Sequence, residues 1–184
     1  RPRSVEIECS GALSELPTPP IVAAALARVL AASFEVPVNT VNAPLLARDR
    51  GIEVRSLCRS EPGTHTSYLG VTVRDAAGRA VVVGGTLGSD GSPRLVRWGG
   101  HSLDVTMRGT GLMLCNENRP GVIGTVGSLL GAAGINIERM QVALDDATGQ
   151  SLSFWGLDSP VSDDLLEHVL RSGAVRSAFR LDFG

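Results

Sequence analysis

The sequence predicts an α+β protein of two small domains, with helices covering one face of mostly antiparallel sheets. Three observations carry that prediction. Apolar and polar residues alternate with period two around residues 5–9, 69–73 and 175–183, as half-buried strands do. Apolar residues recur at helical spacing in 22–30, 122–133 and 161–170. Two helical segments precede an uninterrupted run of strands, and helices and strands then mix again after residue 108.

The elements follow in order. Val5, Ile7 and Cys9 alternate with Ser4, Glu6, Glu8 and Ser10, predicting a first strand. Thr18-Pro19-Pro20 opens a helix, since proline is tolerated in a first turn. Val22, Ala25, Leu26, Val29, Leu30 and Ser33 form its inner face, and Phe34 and Pro37 mark its end. A shorter helix is expected over about 40–50, capped by Thr40 or Asn42. Strands are then expected at 52–57, around 69–73, 80–87, 94–98 and 101–107. Between them lie a turn at 75–79, a second turn at 88–92 and a Gly99-Gly100 hairpin signal. Val81-Val82-Val83 reads as buried on both faces. This meander behind two helices defines a first domain, 1–108.

The second domain is 109–184. Residues 111–115 are a continuous apolar strand. Asn118 is placed to cap a helix with Pro120 in its first turn. Val122, Val126, Leu129, Leu130 and Ala133 form the inner stripe, and Gly134 stops the helix. A strand over 135–144, a turn at 145–149 and a strand over 150–157 come next. Ser159-Pro160 starts another helix with Val161, Leu165, Leu166, Val169 and Leu170 on one face. Ser172-Gly173 ends it, and an alternating strand over 175–183 closes the chain. The order β-α-β-β-α-β is the ferredoxin-like arrangement, which implies no function by itself.

Composition narrows the function. The chain has 184 residues, 43% of them hydrophobic, and a net charge of -2. That permits a real core and disfavours nucleic-acid or anionic-membrane partners. All 17 basic residues are arginine, and aromatic residues are only 4%, too few for a base-stacking surface. No apolar run approaches the ~18 residues of a membrane span, and no signal peptide is visible. Cys9, Cys58 and Cys115 have no disulfide spacing and read as reduced, buried thiols of a cytoplasmic protein. The start at Arg-Pro-Arg, without methionine, suggests a piece of something longer, with catalysis in the missing part.

No catalytic or metal constellation emerges. His65 and His101 stand alone, so no metal ligand set forms. Gly84-Gly85 and Gly109-Thr110-Gly111 lack the helix and the third glycine of a dinucleotide loop. Arg94, Arg97 and Arg108 line an anion site or are solvated strand charges; spacing leaves both open. Asn118 and Asn136 bracket a helix, whose N-terminus welcomes an anion. Each amide offers a donor and an acceptor. The bland alternative is an N-cap and a turn residue.

Glu117-Asn118-Arg119-Pro120-Gly121-Val122, followed by Gly134-Ile135-Asn136-Ile137, resembles the signature of an ACT domain, closest to the serine-sensing ACT domain of the D-3-phosphoglycerate dehydrogenases. Val41-Asn42-Ala43-Pro44, Ala47, Gly51 and Gly85-Thr86-Leu87 resemble that family's allosteric substrate-binding domain, which precedes the ACT domain in its long forms. The resemblance implies a regulatory fragment with no catalytic residue and no cofactor of its own. Its parent would be a cytoplasmic, NAD-dependent oxidoreductase of serine biosynthesis. It implies L-serine held between two ACT domains by Asn116, Asn118 and Asn136. It implies self-association through sheet edges and first helices, as dimer or tetramer. Asn116 departs from the His or Tyr common in relatives. A second anion site is implied at Arg94, His101 and Arg108: Arg94 matches a basic position, His101 stands where arginine is usual, and Arg108 lies two residues beyond, and on the same strand face as, a further basic position occupied here by Thr106. The rival readings are the similar domain pair of an iron–sulfur L-serine dehydratase, and an oligomerisation module that binds nothing.

Overall fold

The computed structural model describes residues 1–61, 63–145 and 149–184. They form two compact units, 1–100 and 101–184. Both combine helices with largely antiparallel sheet, as the α+β prediction requires.

The first unit holds β1 (Pro2–Gly11), a short 3₁₀ turn (Ala12–Glu15), α1 (Thr18–Ala31) and α2 (Ala43–Asp49). Then come β2 (Glu53–Arg59), β3 (Ser67–Asp75), β4 (Ala80–Leu87) and β5 (Pro93–Trp98). The strands run in the order β2-β1-β3-β4-β5. β3, β4 and β5 form the expected meander, but β2 lies parallel to β1. Parallel neighbours need a long crossover, and α1 and α2 supply it. Val5, Ile7 and Cys9 pack against Leu26, Ala27 and Leu30 of α1 and Ala43 and Ala47 of α2. Burying a large aliphatic side chain such as Ile7, Leu26 or Leu30 contributes about 1.5–3 kcal/mol each.

Two expectations fail here for physical reasons. Val81 is 58% exposed, so β4 is not buried on both faces. The helices reach β1 and β3, and the hydrophobic cluster stops there. Neither Thr40 nor Asn42 caps α2 with its side chain. Asn42 occupies the cap position, but its amide turns back, with Nδ2 donating to Pro37 O at 2.9 Å and Oδ1 accepting from Asn39 N–H at 2.8 Å.

The turn after β3 is held by Asp75, whose Oδ1 accepts from the Ala77 and Arg79 N–H groups at 2.9 and 3.0 Å. Hydrogen bonding from Arg79 holds the Asp75 carboxyl below the usual carboxylate range. The turn's stabilisation is therefore complete above the ordinary aspartate pKa and is lost as pH falls through the lowered value.

The second unit holds β6 (His101–Thr106), β7 (Thr110–Glu117), α3 (Val122–Ala132), β8 (Ile137–Asp145), β9 (Gln150–Leu157), α4 (Asp163–Arg171) and β10 (Ser177–Asp182). From β7 onward this is the predicted βαββαβ order, with a four-stranded antiparallel sheet β10-β7-β9-β8. Residues 146–148 of the expected 145–149 turn lie outside the described residues. Leu112, Leu114, Trp155 and Leu157 meet Val122, Val126 and Leu130 of α3 and Val169 of α4 beneath the helices. Ala133 is exposed rather than part of the inner stripe, because α3 ends one residue before it. Leu170 is 39% exposed and likewise leaves the inner face of α4. That helix starts later than expected, with Ser162 Oγ accepting from Leu165 N–H at 3.2 Å.

Candidate effector-binding site

The site begins where β7 ends. Asn116 continues the helix-side row of Leu112 and Leu114 and is only 6% exposed. Its Nδ2 donates to Glu117 O at 2.8 Å. The amide is thus partly spent on its own backbone. Asn118 is exposed, and its N–H donates to Gly149 O at 3.1 Å. It does not cap α3, and Pro120 is not in the first turn. Gly121 adopts φ 93° at the cap position, so the helix starts only at Val122. Among the described residues, no side chain caps that end. The first-turn N–H groups of α3 therefore have no intrahelical acceptor.

Asn136 stands just before β8. Its N–H donates to Asp158 Oδ1 at 3.0 Å, and its carbonyl accepts from Asp158 N–H at 3.2 Å. Backbone groups make both bonds, which leaves the exposed amide to point elsewhere.

Strand register decides whether these residues meet. Glu117 pairs with Gln150, at one end of β9. Ile137 pairs with Leu157, at the other end. Asn118 and Asn136 therefore lie at opposite ends of the sheet, on the order of 25 Å apart at the rise of an antiparallel strand. No free amino acid spans that distance within one chain. The structure brings Asn116 and Asn118 together and leaves Asn136 apart.

Between the two ends lies an apolar row. Met140, Val142 and Leu144 of β8 are 45%, 45% and 54% exposed, and Ile123 of α3 is 53% exposed. Register places Met140 beside Trp155 and Leu144 beside Ser151, so the row faces the helix side. β8 is the edge strand of its sheet.

Of the second candidate site, Arg94 lies on β5 and His101 opens β6. His101 Nε2 is buried without a hydrogen-bond partner among the described residues. Arg108 does not extend the strand face of Thr106, because β6 ends there and the Arg108 N–H turns back to Thr106 O at 3.1 Å.

Two cavities lie in the second unit; none of the three asparagines lines either, but Glu117 and Arg119, on either side of Asn118, line the second. One, of about 310 Å³, is lined by Asp104, Val105, Thr106, Arg139, Met140, Gln141 and Phe154. The other, of about 240 Å³, is lined by Glu117, Arg119, Gly173, Ala174, Val175 and Arg176. Sequence reasoning missed Arg119 and Arg139. Arg119 Nη2 donates to Gly173 O at 2.9 Å, satisfying a carbonyl at the end of α4. The guanidinium of Arg139 sits 5.5 Å from the Phe154 ring centroid and donates to Arg108 O. Gly156 makes room for it, since a Cβ there would strike the Arg139 side chain. The motif position of Arg119 was a usable signal, but nothing local marks Arg139. Among the described residues, no group of three His, Cys, Asp or Glu could hold a metal ion, and no helix is long and apolar enough to cross a membrane. Cys9 is buried as expected, but Cys58 is exposed, because edge strand β2 is exposed along its length.

Residues 2–98 match the family model described as the D-3-phosphoglycerate dehydrogenase intervening domain. Residues 111–169 match the ACT domain model. The chain is similar to the D-3-phosphoglycerate dehydrogenase of Mycobacterium tuberculosis, 34% identical over 183 residues, covering 98% of this chain and 34% of that protein. It is similar to the enzyme of that name from Synechocystis, 29% identical over 160 residues, covering 87% and 29%. The Methanocaldococcus jannaschii enzyme of that name is 29% identical over 165 residues, covering 90% and 31%. The chain spans about a third of the length of these curated relatives.

Proposed function

The chain belongs to the D-3-phosphoglycerate dehydrogenase family, as an intervening domain followed by an ACT domain, and from that premise we propose that it is a regulatory segment that binds L-serine between two ACT domains. The observation that carries this reading is the placement of Asn118 and Asn136 at opposite ends of one sheet, joined by the exposed apolar row of β8. A two-fold pairing of β8 edges and α3 helices is isologous, so it sets the Asn118 end of one copy against the Asn136 end of the other. The same pairing covers Met140, Val142, Leu144 and Ile123. Each shared site then receives two half-sites.

The chemistry follows from the groups present. The serine carboxylate lies against the uncapped start of α3, where free N–H groups and the helix dipole favour an anion. The amides of Asn118 and Asn136 supply acceptors for the ammonium group and a donor or acceptor for the hydroxyl. Asn116, turned onto Glu117 O, contributes less than an outward ring side chain would. We place the functional boundary at residue 108, in the connection between β6 and β7. This segment performs no bond-making step. The NAD-dependent oxidation of 3-phosphoglycerate belongs to the remainder of a cytoplasmic enzyme. Serine acts by favouring one arrangement of the assembly over another, with a coupling of ~1–3 kcal/mol.

Calorimetry with L-serine, glycine and alanine tests this reading. Serine should give heat and a site count of one per ACT domain, and sedimentation should show at least a dimer. Asn136→Ala should abolish the heat and leave the fold intact, because the backbone bonds to Asp158 survive the change. Silence toward all three amino acids at millimolar concentration would leave only the oligomerisation module.

A further inference from the structure

Cys9 and Cys58 are far apart in sequence but adjacent in the sheet. Strands β1 and β2 are parallel, and their register sets Cys9 directly beside Cys58. In a sheet, paired residues point to the same face. Neighbouring strands lie about 4.8 Å apart, inside the roughly 4.4–6.8 Å Cα separation that a disulfide spans. Their environments differ. Cys58 is exposed on the edge strand, whereas Cys9 is 1% exposed in the core beneath α1 and α2. Burial first, then the nearby Cys58 sulfur and Glu8, push the Cys9 thiol above its ordinary range. Among the described residues, β2 has no neighbour on its outer side within the sheet, so it is free to yield toward β1.

We propose that Cys9 and Cys58 are an oxidant-responsive dithiol that forms an intrachain disulfide between β1 and β2. The oxidant is a hydroperoxide. The Cys58 thiolate attacks the terminal oxygen of hydrogen peroxide. A sulfur–oxygen bond forms, the oxygen–oxygen bond breaks, and hydroxide leaves to be protonated to water. Cys58 is now a sulfenic acid. The Cys9 sulfur then attacks the Cys58 sulfur and expels its oxygen, which takes up the Cys9 proton as it leaves as water. Two thiols are oxidised by two electrons, and one peroxide is reduced to two waters. The exposed thiol meets the oxidant and the buried thiol resolves it. The core position of Cys9 protects it from direct oxidation, while its register delivers it to Cys58. The product ties a free sheet edge to the strand that anchors the core, and a dithiol reductant reverses it.

Stoichiometric hydrogen peroxide added to the purified chain provides the test. The expected result is a loss of two hydrogen masses, a Cys9–Cys58 linked peptide on mapping under non-reducing conditions, and recovery of both thiols with dithiothreitol. Cys115→Ala should leave this unchanged. Cys9→Ala should stop at a Cys58 sulfenic acid that dimedone traps. Cys58→Ser, an exposed change that spares the core, should leave Cys9 reduced. Any of four outcomes would overturn the proposal: unreacted thiols, Cys58 advancing to the sulfinic acid beside a free Cys9, a link to Cys115, or a link between two chains.

Discussion

Replacing Trp155 by alanine should destabilise the second unit by about 3–5 kcal/mol. Trp155 is fully buried, and Leu112, Leu114, Val126 and Leu130 belong to the same core cluster. Truncation removes the largest buried side chain of that layer and leaves a cavity between sheet and helices. It also strands a polar group: the indole Nε1 donates to Ser153 Oγ at 2.9 Å, and Ser153 is itself 6% exposed. An orphaned buried hydroxyl adds to the loss. Trp155→Phe keeps most of the volume but loses the donor, and should cost less. Denaturant unfolding monitored by far-UV circular dichroism reads both changes. The chain has 2 tryptophans, and the other, Trp98, lies on β5 of the first unit, so circular dichroism and not fluorescence follows the second unit. A loss below ~1 kcal/mol for the alanine variant would mean that the layer collapses around the gap.

Gly11→Ala should cost about 2–5 kcal/mol, through backbone strain and a steric clash acting together. Gly11 ends β1 at φ 61°, ψ -139°, a conformation that side chains other than glycine's rarely adopt. An added Cβ would collide with the Thr66 carbonyl. That carbonyl accepts the Ala12 N–H at 2.9 Å and helps close β1 onto β3. Relief of the clash therefore breaks a hydrogen bond at the strand end. Gly51, at φ 64°, has no atom within 4 Å of its hypothetical Cβ, so Gly51→Ala isolates the backbone cost at about 1–2 kcal/mol. Equal midpoints for the two variants in urea would refute the steric part of the account.

Periodicity reads elements well because it depends on the side-chain repeat alone. β4, for example, spans the expected 80–87, and the βαββαβ order stands. What periodicity cannot see is position within a sheet. Val81 sits in a run that looks doubly buried, yet it lies on a strand that the helix-backed core does not reach. Cap signals mislead in a similar way. Asn118 and Pro120 both favour a helix start, but the left-handed Gly121 between them and Val122 delays the helix. The parallel placement of β2, and with it the Cys9–Cys58 register, is a pairing between distant segments that no local pattern encodes. The candidate site residues could be named from the sequence. Their division between two ends of a sheet was not drawn from the sequence, although a strand–helix–strand crossover demands it. The return through α3 necessarily brings Asn136 to the end of the sheet opposite Asn118.

That separation has a genetic consequence. In the two-fold pair proposed above, one shared site would take Asn118 from the first copy and Asn136 from the second, and the other would take the reverse. Under the proposed function, a variant lacking Asn118 and a variant lacking Asn136 should each fail to bind serine as homodimers. Mixed and allowed to exchange subunits, they form hybrids in which one site carries both lesions and the other carries none. Two inactive alleles should therefore complement each other, with recovered binding of at most one site per hybrid. A pocket confined to a single chain has no such arithmetic.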